Sequence, residues 1–274
     1  LSPEWRGRLA DIIRNLGRTV IVLGSHMLME YEGVFSRTLS IADGAVRPYE
    51  PRPFAFPDFH LSIGKSVLKA DNLLIERNHR SSDELSSFSL SVPHFELHEG
   101  ECVVLLGENG SGKSSFSRVL TGLLKEIDGN IAIDDGRVLS AKERRSTVAY
   151  LMQNPYEELF LPTARDEAAS TKASEHEIDE AFRLFGIDPD AYVQELSYGK
   201  AKMLQLAVFY LLRRRFAIFD EMDSALSSED FASAVSAYLD NGIGLLVITH
   251  DMSVAAALPG RKLRIEGGVL HECQ

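Results

Sequence analysis

The chain has 274 residues, 45% of them apolar, and a formal net charge of −11. That apolar share can build a sizeable globular core, while the negative balance argues against a nucleic-acid surface, which needs a basic patch. Two cysteines, Cys102 and Cys273, are too few for a disulfide framework and fit a reducing, cytosolic setting. The longest apolar run, residues 203–212, has about half the roughly 20 residues of a membrane-spanning helix and runs into Arg213, Arg214 and Arg215. A role at a membrane therefore calls for a separate membrane subunit. No signal peptide is visible and the first residue is not Met, so a piece of a longer protein is expected.

In chain order, an internal repeat comes first. Leu1-Ser2-Pro3-Glu4 resembles Leu226-Ser227-Ser228-Glu229, and a helical stretch follows each. Thr19-Val20-Ile21-Val22-Leu23 is expected to be a strand and matches Leu245-Leu246-Val247-Ile248-Thr249. Both are followed by a histidine, His26 and His250. Leu39-Ser40-Ile41-Ala42-Asp43-Gly44 then echoes Leu263-Arg264-Ile265-Glu266-Gly267-Gly268, at the same distance from the histidine. Self-similarity of this kind points to duplication: residues 1–47 are expected to be the tail of a first unit like the second. Residues 48–65 are expected to be a linker, with Pro48, Pro51, Pro53 and Pro57 holding residues 48–60 extended. At about 3.1 Å per residue that stretch reaches roughly 40 Å, enough to set two units side by side. From Ser66 onward strands and helices alternate to the end, the pattern of an α/β fold.

Val103-Val104-Leu105-Leu106 reads as a buried strand. It leads into Gly107-Glu108-Asn109-Gly110-Ser111-Gly112-Lys113-Ser114, a complete P-loop pattern, with Ser115 next. Its glycines let backbone N–H groups close around phosphates, and a helix beginning near Lys113 adds its positive N-terminal end. Lys113 can reach the β- and γ-phosphates, and the Ser114 hydroxyl can bind Mg²⁺. Phe216-Ala217-Ile218-Phe219-Asp220-Glu221 is a second buried strand ending in two acids. Carboxylates at the C-terminal edge of a strand lie where open α/β sheets bind ligands. Asp220 is expected to hold Mg²⁺ and Glu221 to polarise an attacking water.

The P-loop, Gln153 after a strand over residues 147–152, Leu196-Ser197-Tyr198-Gly199-Lys200, Asp220-Glu221 and His250 occur in the order of an ABC ATPase. The resemblance covers about three quarters of the chain, and the signature shortly before the second acidic strand separates it from other P-loop proteins. It implies a P-loop NTPase (RecA-like) core with an antiparallel β subdomain and a helical subdomain in residues 66–274. Residues 1–47 then resemble the C-terminal fragment of a first ABC cassette. It also implies that ATP and Mg²⁺ are bound and that Glu221, His250 and Gln153 serve hydrolysis, with Gln153 also at the metal. Ser197 and Gly199 would clasp the γ-phosphate of ATP on the opposite cassette, and Ser224-Ala225-Leu226 would touch that cassette.

The sequence departs from the family pattern in places. Tyr198 replaces the first glycine of the signature, Lys200 its glutamine, and Met203 lies near the place of the usual arginine. Ser227 stands where an aspartate is common. No clear aromatic for adenine occurs near residues 75–79, where His79 is the candidate. Gln153-Asn154-Pro155-Tyr156-Glu157-Glu158-Leu159-Phe160, with Leu161-Pro162-Thr163 after it, is similar to the same segment of energy-coupling-factor ATPases, the motors of vitamin and metal-ion importers. The resemblance thus implies a peripheral subunit on the cytoplasmic face of the cell membrane, partnered by a second cassette and an integral membrane transporter subunit, with no nucleic acid. The alternatives are a soluble ABC ATPase in translation or DNA maintenance, and a degenerate regulatory cassette. Against the first stand the short proline-rich linker and the lack of a long coiled coil before the signature. Against the second stands Glu221.

Overall fold

The computed structural model describes residues 3–23, 33–42, 44–49, 56–59, 61–80, 85–133 and 136–273, with the side chains of 3–6, 42, 78–80 and 85–87 set aside. The chain divides into two compact units, Leu1–Ala55 and Phe56–Gln274. The first holds helix α1 (Pro3–Asn15) and a hairpin of β1 (Leu39–Ala42) and β2 (Ala45–Pro48), paired from Leu39↔Pro48 to Ala42↔Ala45. Gly44 in its turn takes φ 71°, a left-handed conformation that a residue without Cβ adopts at little cost.

The strand expected over residues 19–23 does not form. The segment pairs with no described strand, and Ile21 and Leu23 are 83% and 89% exposed. β-branched residues favour an extended backbone, but a strand needs a partner to take up its N–H and C=O groups, and β1 and β2 pair only with each other. Amides of residues 19–23 are therefore expected to exchange almost as fast as in an unfolded chain. Slow exchange there, measured by mass spectrometry, would reveal a partner surface. His26, the histidine of the repeat, lies outside the described residues.

The second unit carries β3 (Ser66–Arg80), β4 (Leu85–His98), β5 (Cys102–Gly107), α2 (Lys113–Leu120), β6 (Asp128–Ala132), α3 (Ala141–Thr147) and β7 (Val148–Leu151). After these come α4 (Ala164–Ala169), α5 (Glu175–Phe185), α6 (Tyr198–Leu211), β8 (Phe216–Asp220), α7 (Ser228–Asp240) and β9 (Gly244–Ile248). α8 (Met252–Ala257), β10 (Arg261–Glu266) and β11 (Val269–Glu272) complete the unit. One nine-stranded sheet runs in the order β6-β3-β4-β11-β10-β5-β9-β8-β7. The stretch β10-β5-β9-β8-β7 is parallel, and β3 pairs antiparallel with both β4 and β6.

The parallel strands read as continuous apolar runs because both faces are buried. Val103, Leu105, Ile218 and Leu246 face one side with Phe116 and Val119 of α2 and the antiparallel strands. Val104, Phe219, Leu245 and Val247 face the other, against Phe182 of α5, Leu204 of α6 and Tyr238 of α7. The helices α4 to α6 are inserted in the chain between β7 and β8. α5 opens on a capping box of Ser174 with Glu177 and closes on Gly186 in the left-handed region, the start and stop chemistry that sequence rules ask for. The α/β core, the antiparallel part and the helical part are thus all present. Within the stretch expected as a linker, Pro48 closes β2, and Phe56, Phe59 and Leu61 pack on the core of the second unit. Phe56 meets Phe231 edge-on with ring centroids 6.4 Å apart.

Candidate functional site

The loop from Gly107 to Gly112 joins β5 to α2 at the C-terminal edge of the parallel strands. Gly112 stands at φ 112°, a conformation that favours glycine, and the Phe88 ring would have to shift to admit a Cβ, which would come within 2.3 Å of its Cζ. A Cβ on Gly107 would lie 2.7 Å from Ser111 Oγ. Asn109 and Gly110 are exposed at the tip of the loop, Ser114 is exposed at the start of α2, and Ser115 is buried. Lys113 Nζ folds back to donate to Gly107 O (2.8 Å) and Glu108 O (2.9 Å). Burial lowers its pKa, against the pull of Glu221 and Asp220. Ser111 Oγ is buried with no hydrogen-bond partner, a costly state for a hydroxyl unless a ligand supplies the partner.

Gln153 follows β7, Glu221 follows β8 and His250 follows β9, and the sheet brings the three together. Gln153 Nε2 donates to Glu221 Oε2 at 2.9 Å, and His250 Nε2 lies 2.7 Å from Glu221 Oε1. The His250 hydrogen bond first, and then the charges of His250 and Lys113, hold the Glu221 carboxyl below its ordinary pKa despite desolvation. Glu221 has φ 52° and ψ 36°, a left-handed conformation that costs a residue with a Cβ energy and marks functional turns. Asp220 is buried beside it, and its Oδ2 accepts from the Tyr150 hydroxyl at 2.7 Å. Desolvation leads the causes that raise its pKa, and a cation beside it would reverse that penalty. Ser114, Asp220 and Gln153 offer hydroxyl, carboxylate and amide oxygens, the hard donors that Mg²⁺ prefers. The unpartnered Ser111 hydroxyl, the loop glycines and Lys113 suit a triphosphate.

Ser197 caps α6, its side chain accepting from Lys200 N, and Gly199 sits in the first turn. Both line a shallow depression with Ala225, Leu226 and Ser227 that includes none of the P-loop residues. The signature is therefore not gathered with the P-loop in this depression. His79 stands in β3 opposite Ser86, and its side chain lies outside those described.

Residues 90–224 match the ABC transporter family. Over those residues the chain carries an ABC-transporter-type domain. A putative ABC transporter ATP-binding protein of Bacillus anthracis is 31% identical over 223 residues, covering 76% of this chain and 38% of that protein. The chain thus spans less than half the length of that relative. Among solved structures, cbiO1 of Clostridium perfringens, part of the ABC transporter complex cbiONQ, superposes with a TM-score of 0.63 at 20% identity, over 76% of this chain and 88% of that one. A bacterial Atm1-family ABC exporter with ATP bound gives 0.64 at 23%, over 80% and 40%. Both likenesses are of fold, and the fold is that of a P-loop NTPase.

Three residues beside the ABC motifs escaped sequence reasoning. Tyr150 holds Asp220, as above. Lys202 is buried under the Gln153 segment and Glu158 is half-buried in it: desolvation pushes Glu158 up to about 7 and Lys202 down to about 8. Glu158 binds its proton more tightly in the folded chain than at its ordinary value of 4.5. Stability from this group is therefore full at low pH and is lost as pH rises through about 7. Glu158→Gln removes that titration but keeps an acceptor for Met152 N. Without the carboxylate, Lys202 also gives up its proton at lower pH, which acts in the same direction. The loss of stability between about pH 5 and about pH 8 is expected to be smaller in the variant, measured by urea unfolding. An equal or steeper loss would show that Glu158 does not titrate in that window.

Proposed function

We propose that this ABC cassette binds ATP with Mg²⁺, hydrolyses the ATP, and drives an ABC transporter from the cytoplasmic face of the cell membrane, paired with a second cassette and coupled to an integral membrane subunit. The observation that carries this reading is the convergence of Gln153, Glu221 and His250 at the edge where the P-loop lies. Backbone N–H groups of residues 107–113, Lys113 and the hydroxyls of Ser111 and Ser115 bind the phosphates. Ser114, Asp220 and Gln153 hold the metal, which supplies charge neutralisation at the phosphates. Glu221 orients and polarises the attacking water, and His250 and Gln153 orient Glu221. Ser197 and Gly199, at the N-terminus of α6, serve the nucleotide of the opposite cassette.

The energy-coupling-factor-like segment supports uptake as the direction of transport. It presents Phe160, 80% exposed, with Leu161, Tyr156 and Tyr192 also exposed nearby in sequence or through the bridge of Thr163 with Tyr192. Exposed aromatic side chains of this kind would suit docking on a partner subunit. A tandem arrangement is supported by the repeat. α1 and α7 each have 13 residues, and the hairpin pairing Leu39↔Pro48 and Ala42↔Ala45 has its counterpart in Leu263↔Glu272 and Glu266↔Val269.

Fractionation of the cells that make the protein tests the motor reading. The wild type is expected with the membranes, and Phe160→Asp is expected to move it to the soluble fraction without changing its affinity for ATP. Recovery of both forms with ribosomes or DNA would overturn the transporter assignment.

A further inference from the structure

Tyr198, Lys202 and Gln205 lie on one stripe of α6, at the spacing that stacks side chains along a helix face. All three reach the segment that carries Gln153. The Tyr198 hydroxyl donates to Gln153 O at 2.5 Å. Lys202 Nζ donates to Met152 O at 2.5 Å, and Gln205 Nε2 donates to the same carbonyl at 3.3 Å and to Glu158. The segment answers in kind: the Tyr156 hydroxyl donates to Leu196 O at 2.8 Å, and the Tyr156 ring meets the Tyr198 ring edge-on at 6.3 Å. Two consecutive carbonyls, Met152 and Gln153, are therefore gripped by the helix whose N-terminus carries Ser197 and Gly199.

The two ends of this seam differ. Lys202 is fully buried, so its bond to Met152 is shielded from water. Tyr198 is 42% exposed, so its bond to Gln153 can exchange with solvent. The Gln153 side chain meanwhile reaches Glu221. One residue thus touches both places: the Gln153 side chain meets Glu221, and the Gln153 carbonyl accepts from the Tyr198 hydroxyl in the first turn of α6. A glycine at position 198, as in the family pattern, offers no such bond.

We infer that Tyr198 is a positioning residue whose hydroxyl couples Gln153 to the signature turn, so that nucleotide in a cassette's own P-loop sets how that cassette presents Ser197 and Gly199 to its partner. The inference rests on the ATP-binding reading above. Hydrogen exchange on the full chain, with and without Mg²⁺ and the non-hydrolysable analogue AMP-PNP, tests it. A peptide spanning residues 196–203 is expected to change its exchange rate on nucleotide addition by roughly 2- to 10-fold, the equivalent of one net hydrogen bond. Tyr198→Phe keeps the ring against Tyr156 and is expected to bind the analogue as the wild type does, by calorimetry, yet lose that response. Tyr49→Phe, at an exposed tyrosine of the first unit, is expected to keep it. A full response in Tyr198→Phe, or none in a wild type that binds the analogue, would overturn the inference. No binding by the wild type would overturn the ATP-binding reading and the inference with it.

Discussion

Glu221→Gln is expected to leave ATP binding intact and to reduce turnover by roughly 10²- to 10⁴-fold, the range for a positioned acid–base group. Glutamine keeps the size of the side chain and an oxygen that can accept from Gln153 Nε2, but it removes the charge that meets His250 Nε2. The wild-type carboxyl sits below its ordinary pKa, so it stays ionised across the physiological range. That makes it a weak proton acceptor and a constant negative charge. Its contribution is expected to lie mainly in orienting and polarising water, a matter of geometry and electrostatics. Turnover should accordingly show no loss from protonation of this group at mildly acidic pH. The assay requires the full assembly with a partner cassette, because the proposed arrangement places the signature of one cassette at the nucleotide of the other. ATP-bound pairs of the variant should accumulate as a closed complex, visible by size-exclusion chromatography. Equal hydrolysis by wild type and variant in that assembly would remove Glu221 from the chemistry, and negligible hydrolysis by both would favour a regulatory cassette.

The elements bearing the site's chemistry were legible because they combine a local signal with a period. Val103-Val104-Leu105-Leu106 and Phe216-Ala217-Ile218-Phe219 are short apolar runs ending in glycine-rich or acidic turns, and both form central parallel strands. Gln153 and His250 were legible only through their order along the chain, since a single glutamine or histidine carries no local signal. Their meeting at Glu221 is a product of sheet order. Tyr150, Lys202 and Glu158 were not legible for a related reason. Tyr150 looks like one more apolar strand residue until β8 sets Asp220 against its hydroxyl. Lys202 reads as a solvated helix cation, but its neighbours on α6 are buried on nearly all sides, and it is drawn inside to the Met152 carbonyl. Residues 19–23 failed in the opposite way: the local β signal is strong, and what decides the matter is the lack of a partner strand among the described residues.

Lys113→Ala is expected to weaken ATP binding by at least roughly 10- to 150-fold, the loss that corresponds to one charge-assisted hydrogen bond of about 1.5–3 kcal/mol. The Lys113 ammonium bridges the carbonyls of Gly107 and Glu108, so it both shapes the loop and supplies the positive charge that a triphosphate meets there. Alanine leaves those two carbonyls without this donor and leaves Asp220 and Glu221 facing an incoming polyanion without the cation that offsets them. The second effect adds repulsion to a lost attraction, so the measured change should exceed the value for a single bond. Mg²⁺ recovers part of it, and the deficit is therefore expected to be larger for ATP without the metal than with it. Because Lys113 is buried at the start of α2, the variant's thermal unfolding must be compared with the wild type's, and Lys200→Ala, on the exposed first turn of α6, serves as a control for charge alone. Titration calorimetry at fixed ionic strength reads the affinities. An unchanged affinity in a folded Lys113→Ala chain would remove the loop between β5 and α2 from nucleotide binding.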